Sequence, residues 1–177
     1  MEIVFDMKNA AGEYEEKTES FAYDAIGNPT SYKGKTLTWT KGRRLTSYDG
    51  IEFGYNGQGQ RISRKQGSTN NFTYDMSGNL VKESRGVEYY YDAEGVCGMK
   101  YDEEMYFYRK DVFGNITEIL DSDGKIVVRY RYDAWGNHVV LNPDGSENES
   151  STFIGNINPF RYRGYYYDVE TGLYYLK

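Results

Sequence analysis

The sequence predicts an all-β protein: consecutive antiparallel β-hairpins joined into one curved or spiralling sheet. Three observations carry this expectation. A short turn phrase returns along most of the 177 residues. The stretches between its copies alternate apolar and polar side chains, as strands do. Gly or turn clusters interrupt the chain before any 3.6-residue period can establish itself. Composition agrees, since the 20 Tyr, 8 Phe and 2 Trp outnumber the 9 Ile, 7 Leu and 10 Val. A Tyr ring buries well only where its hydroxyl finds water or a partner, so sheets with one hydrated face suit this chain better than a thick dry core.

Charge and composition also exclude functions. A net charge of -6 and a pI near 4.9 argue against a nucleic-acid partner, because phosphate recognition needs concentrated Lys and Arg. The nearest candidates, Arg129 with Arg131 and Arg161 with Arg163, alternate with Tyr and read as solvated or cross-strand-paired strand residues. Cys97 is the single cysteine, which rules out an intramolecular disulfide and a cysteine-rich zinc site. No apolar stretch approaches the ~20 residues of a membrane helix, and Met1 to Glu16 lacks the basic and apolar regions of a signal peptide. No cofactor, metal or membrane partner is expected.

In chain order, residues 1–20 hold no copy of the phrase and read as a partly ordered lead-in, whereas the hairpin ribbon is expected over 21–157. The phrase is an aromatic, Asp, two variable residues, Gly and Asn. Its clearest copies start Tyr23-Asp24 and end Gly27-Asn28, start Tyr74-Asp75 and end Gly78-Asn79, and start Tyr132-Asp133 and end Gly136-Asn137. Weaker copies begin at Tyr55, Tyr91, Lys110 (with Asp111, Gly114 and Asn115) and Tyr167 (with Asp168 and Gly172), and a shortened one spans Trp39 to Arg43. The unit is close to 17 residues, which fits one hairpin and is too short for a helical repeat. The final step, from Tyr132 to Tyr167, is expected to hide a degenerate copy or a longer loop.

The phrase has a mechanical reading. Tyr ends a strand, Asp accepts hydrogen bonds from amides just ahead of it, and Gly supplies a positive φ. Asn is read as tolerating the same left-handed region before leading the next strand out. Between turns, Ile126, Val128, Tyr130 and Tyr132 fall on one face and Val127, Arg129 and Arg131 on the other, and Val87, Tyr89 and Tyr91 repeat this against Glu88 and Tyr90. Asp121-Ser122-Asp123-Gly124 and Asn142-Pro143-Asp144-Gly145 read as the clearest of the secondary turns that separate the partner strands. The polar run Asn142 to Ser151 reads as a mobile loop, since it has little apolar surface to bury.

These residues resemble a known family. The Tyr-Asp-x-x-Gly-Asn phrase is similar to the YD repeats of bacterial RHS proteins, of the C components of insecticidal toxin complexes and of animal teneurins. The stretch from Asn158 through Pro159, Phe160, Arg161, Tyr162, Arg163, Gly164, Tyr167 and Asp168 to Gly172, Leu173, Tyr174 and Tyr175 resembles the start of the RHS core C-terminal motif. Residues 158–177 would then be a truncated form of that motif. The resemblance implies a β-ribbon spiralling into a hollow shell around a toxic C-terminal domain of a secreted or bacterial surface protein. Neighbouring YD repeats and the enclosed toxin would be the partners. The aspartate-dependent self-cleavage segment that follows the motif in that family would lie beyond Lys177, so neither self-cleavage nor toxin activity carries over.

Sharper chemical readings fare worse. Asp121 to Gly124 resembles the start of a calcium loop, yet the Glu that ends such a loop is missing, with Tyr132 and then Asp133 at that point, and no helices flank it. The sole histidine, His138, directly follows a turn Gly-Asn and reads as an exposed loop-edge residue rather than a triad member. Glu103 and Glu104 are neighbours in sequence and would point to opposite faces of a strand, which disfavours a paired acid and base. Three Asn-x-Ser/Thr sequons, at Asn71, Asn115 and Asn148, are what Asn-rich turns generate by chance. The alternative of most weight is a carbohydrate or cell-wall binding module stacking sugars on exposed aromatics such as Trp39 and Trp135. Against it, neither Trp follows a Gly, as the cell-wall repeats require, and cross-strand packing accounts for the rings. Open edge strands also offer a route to a homodimer. The expectation is a non-enzymatic structural segment.

Overall fold

The computed structural model describes residues 2–8, 13–40 and 42–176. It is almost wholly β. Strands β3 to β16 follow one another in chain order as a fourteen-stranded antiparallel sheet, and two separate two-stranded sheets flank it in sequence. The chain divides into two compact units, residues 1–71 and 72–177.

The first unit opens with β1 (Glu2–Lys8) and β2 (Tyr14–Ser20), paired from Glu2↔Ser20 to Lys8↔Tyr14. The stretch read as a lead-in is therefore a hairpin of its own. β3 (Ala22–Tyr23), β4 (Pro29–Tyr32), β5 (Lys35–Thr40), β6 (Arg44–Tyr48), β7 (Ile51–Tyr55) and β8 (Arg61–Gln66) continue the meander into β9 (Ser68–Tyr74). Alternation puts Leu37, Tyr48, Ile51 and Phe53 on the buried face, with the Arg61 guanidinium 5.2 Å from the Phe53 ring.

The second unit holds β10 (Leu80–Glu83), β11 (Val87–Asp92), β12 (Gly95–Tyr101), β13 (Glu104–Lys110), β14 (Ile116–Leu120), β15 (Ile126–Tyr132) and β16 (His138–Leu141). Val87 and Tyr89, Val96 and Met99, Ile116 and Ile119, and Val128 and Tyr130 share one apolar face. The opposite face carries cross-strand ion pairs, Lys82 with Glu88 at 2.7 Å and Glu118 between Arg109 and Arg129. The exposed Lys82–Glu88 pair contributes little by itself, whereas Glu118 is buried between its two arginines.

Two features depart from the sequence reading. The polar run after β16 is an ordered turn rather than a mobile loop. Asn148 N donates to Val140 O, Asn148 Nδ2 to Asn142 Oδ1, and Asn156 Nδ2 to the carbonyls of Asn148 and Ser150. Asn side chains supply the hydrogen bonds that apolar burial cannot. A single helical turn, α1 (Ile154–Ile157), then crosses β15 and β16, followed by a 3₁₀ turn (Tyr162–Gly164) and the hairpin β17 (Tyr166–Asp168) and β18 (Leu173–Tyr175). The helical turn is possible because position 155 is Gly: a Cβ there would lie 2.6 Å from Val140 Cγ1 and 2.7 Å from Val128 Cγ1.

Candidate functional site

The repeated turn has a fixed construction. In the copy at Tyr23, Asp24 N donates to Asn28 O and Gly27 N to Asp24 O. Asp24 Oδ1 accepts from Ile26 N and Asn28 N, and Asp24 Oδ2 from Asn28 Nδ2 at 2.7 Å. The Asp-Asn bonding recurs at Asp75 with Asn79, Asp111 with Asn115 and Asp133 with Asn137. The amide donors hold the carboxyls of Asp24, Asp75 and Asp133 below the usual range, chiefly through Asn28 N, Asn79 N and Asn137 Nδ2 respectively. Gly27, Gly78, Gly114 and Gly136 have φ of +81° to +87°, a region in which other residues are strained.

The structure corrects one part of this reading. Asn28, Asn79, Asn115 and Asn137 are not among the positive-φ residues. Each Asn instead immediately precedes the returning strand, and its amide group bonds back to the Asp. The turns at Asp121 and Asn142 share the same backbone pair, Asp121 N to Lys125 O with Gly124 N to Asp121 O, and Asn142 N to Ser146 O with Gly145 N to Asn142 O. They are further copies of one turn, and the Asn142 copy falls within the long final step.

A second regularity was not read from the sequence. The register slips by one residue beside most copies, leaving Thr30, Thr46, Ile62, Val81, Cys97, Thr117 and Val127 as extra residues in β-bulges. Thr46 and Thr117 donate their hydroxyls to the facing carbonyls of Thr38 and Arg109. The residue before the bulge receives a bond from the aromatic of a later copy: Trp39 Nε1 to Pro29 O at 2.6 Å, Tyr55 OH to Leu45 O at 2.8 Å, Tyr91 OH to Leu80 O at 2.9 Å and Tyr132 OH to Ile116 O at 2.7 Å. The phenols and the Trp39 indole thus bond one repeat to the one before it. Tyr23 and Trp135 lie at the surface, 49% and 87% exposed.

The C-terminal motif packs on the apolar face of the second unit. Phe160 stands edge-on to Tyr89 and Tyr166, at centroid distances of 4.9 and 5.8 Å. Pro159, Arg161, Tyr166 and Asp168 are buried, Tyr162, Gly164, Tyr167, Leu173, Tyr174 and Tyr175 intermediate, and Arg163 and Gly172 exposed. Asn158 is fully buried; its Oδ1 accepts from Tyr108 OH and Phe160 N, and its Nδ2 donates to Tyr130 OH and Phe160 O. Asn115 of a repeat turn serves the motif directly, its Oδ1 accepting from Arg163 N at 2.9 Å, while Ile116 N donates to Arg161 O.

Glu83, fully buried, accepts from Tyr89 OH and Tyr166 OH and pairs with Arg85 at 2.6 Å; Arg85 also donates to Ile157 O. Burial drives the Tyr89 and Tyr108 phenols well above their ordinary range and Tyr130 up to about 12. His138 is likewise not an exposed edge. The C-terminal hairpin folds over it, with Tyr167 edge-on at 4.5 Å and Arg161 donating to its Nε2. Nothing in the local sequence marks Glu83 or His138, whose partners Tyr166 for the one and Arg161, Tyr167 and Tyr174 for the other are distant in the chain.

Among the described residues no group of three or more His, Cys, Asp or Glu could hold a metal ion. The hydrogen-bonding side chains of these turns and of the motif bond to the protein itself, and the arrangement is that of a repeat array carrying a packed C-terminal segment. The chain belongs to the teneurin YD-shell family, whose model matches residues 6–144. It is 36% identical to the tRNA nuclease WapA of Bacillus subtilis strain 168 over 179 aligned residues and 34% identical to the tRNA3(Ser)-specific nuclease WapA of Bacillus spizizenii over 174. Each alignment covers 89% of this chain but 7% of the relative. A crystal structure of TcdB2-TccC3 superposes with a TM-score of 0.62 over 86% of this chain and 9% of that one, at 19% identity, and so shares the fold. The chain is a YD-repeat segment of RHS type.

Proposed function

We propose that this chain is a length of wall in an RHS-type shell that encloses a C-terminal toxic domain of a larger secreted or surface protein, and that the segment itself is not catalytic. The observation that carries the reading is the bond from Trp39, Tyr55, Tyr91 and Tyr132 to the preceding repeat's bulge, a join that can be extended by repetition. The much greater length of the WapA relatives supports it, as does their naming as nucleases, an activity that this wall segment would house rather than perform. Neighbouring repeats and the enclosed domain are the partners, with no nucleic acid, cofactor or membrane engaged by these residues. In the isolated chain the open strand edges are expected to pair with a second copy.

The test is protease protection of the protein encoded by the complete reading frame that contains these residues. A domain following the repeats should resist cleavage until the β-structure is unfolded; cleavage at the rate of the free domain would reject enclosure. Carbohydrate binding is the weaker reading, because the Trp39 indole is engaged by Pro29. Trp135 remains available for it, so a blank glycan array for the wild type, or binding unaffected by Trp135→Ala, disposes of that route.

A further inference from the structure

His138 opens β16 immediately after the Gly136-Asn137 turn. Four groups face it: Tyr132 of β15, Arg161, Tyr167 of β17 and Tyr174 of β18, with the rings at 6.5, 4.5 and 6.4 Å. Arg161 is the charged one among these four. It is 2% exposed, donates to the carbonyls of Asn158, Gly155 and Asn156 at 3.2 to 3.4 Å, and lies 4.8 Å from the Tyr167 ring. A guanidinium only donates, so His138 Nε2 must accept with its lone pair. The Tyr174 hydroxyl donates to Gly136 O at 3.1 Å, which leaves its oxygen to accept from His138 Nδ1 at 3.3 Å. This chain of donors and acceptors requires the neutral Nδ1–H tautomer. A proton on Nε2 would turn the acceptor into a donor and set a second cation against buried Arg161.

We propose that His138 and Arg161 form an acid-sensitive latch, which strengthens the docking of the C-terminal segment 158–175 at β14 to β16 at neutral pH and loosens it when His138 is protonated. Beside the latch the segment is tied by Arg163 N to Asn115 Oδ1, Ile116 N to Arg161 O and Tyr174 OH to Gly136 O; farther from it, Asn158 at Tyr108 and Tyr130 and Tyr166 at Glu83 hold the segment without His138. Burial first, and Arg161 second, push His138 from 6.5 down to about 4. A group lowered in the docked state binds more protons once undocked. Docking is therefore complete above the undocked value and weakens as pH falls from there toward 4, and the undocking constant should rise by about an order of magnitude between pH 7 and pH 5. The turn carboxyls of Asp75, Asp111 and Asp133, held below 3.8, stay ionised across that window and keep the hairpins closed.

With one histidine in the chain, a single imidazole signal can be followed by NMR, together with amide exchange corrected for its intrinsic pH dependence. The ring should titrate well below 6.5. Exchange at Arg163 and Ile116, whose amides bond across the docking contact, should accelerate about tenfold from pH 7 to pH 5 while Ile119 and Val128 hold. His138→Gln, which keeps a neutral acceptor for Arg161, should abolish the acceleration. A wild-type ring titrating at or above 6.5, Arg163 and Ile116 amides unchanged at pH 5, or a His138→Gln chain that still opens would each overturn the latch. If His138→Gln fails to fold, the wild-type titration and exchange decide.

Discussion

At the scale of single residues, Gly and Asp in each turn have separable jobs. Gly27→Val should cost at least ~1 kcal/mol, the strain of a β-branched residue at positive φ, because the space beside Gly27 is open. Gly136→Val should cost more, since its Cβ would also meet Tyr162 Cδ1 at 2.8 Å. Equal melting of the two variants in denaturant titrations would refute the difference. The turn carboxyls have folded values below their unfolded 3.8, so their stabilisation is present above that pH and lost as pH falls through the folded values. Gly and Asp were legible in the sequence because their bonds are local. The role of Asn was misread, since a residue that tolerates left-handed geometry need not adopt it when its side chain has a nearby acceptor.

At the scale of the element, the bulge and the aromatic that bonds to it form one device. Tyr132→Phe removes the donor to Ile116 O and nothing else, so it should cost about 1 kcal/mol; Trp39→Phe should lose a similar bond to Pro29 O together with some packing. Urea unfolding midpoints measure both, and a Tyr132→Phe chain as stable as wild type would show that water replaces the phenol there. Gly155→Ala should cost about 1–3 kcal/mol by pressing on Val128 and Val140. None of this could be read beforehand. An extra β-bulge residue looks like any other strand residue, and it reverses the alternation on which face assignment rests, which is how Glu83 reaches the core from a strand that reads as polar.

At the scale of the molecule, the hairpin order was legible because each strand pairs with its sequence neighbour. The packing of residues 158–175 was not, since Tyr108 to Asn158 and Glu83 to Tyr166 join residues 50 and 83 apart. These buried phenols give the molecule an alkaline limit. Tyr130 and Tyr174 are raised to about 12 by burial, so their contribution is intact below about pH 10 and disappears as pH climbs toward 12. Phenolate absorbance should therefore rise in two stages, the second coinciding with loss of β circular dichroism. A single stage at the ordinary phenol value with the fold intact would contradict the burial of these rings.

The join between repeats also has a direction. At Trp39, Tyr55, Tyr91 and Tyr132 the hairpin offers a ring donor toward its predecessor, which offers a backbone oxygen in return, so the two sides of such a repeat are unlike and complementary, as the ends of a polar filament are. Separately made lengths of such an array would add tail to head and not tail to tail, and the growing chain leaving the ribosome could secure each hairpin on the one already formed.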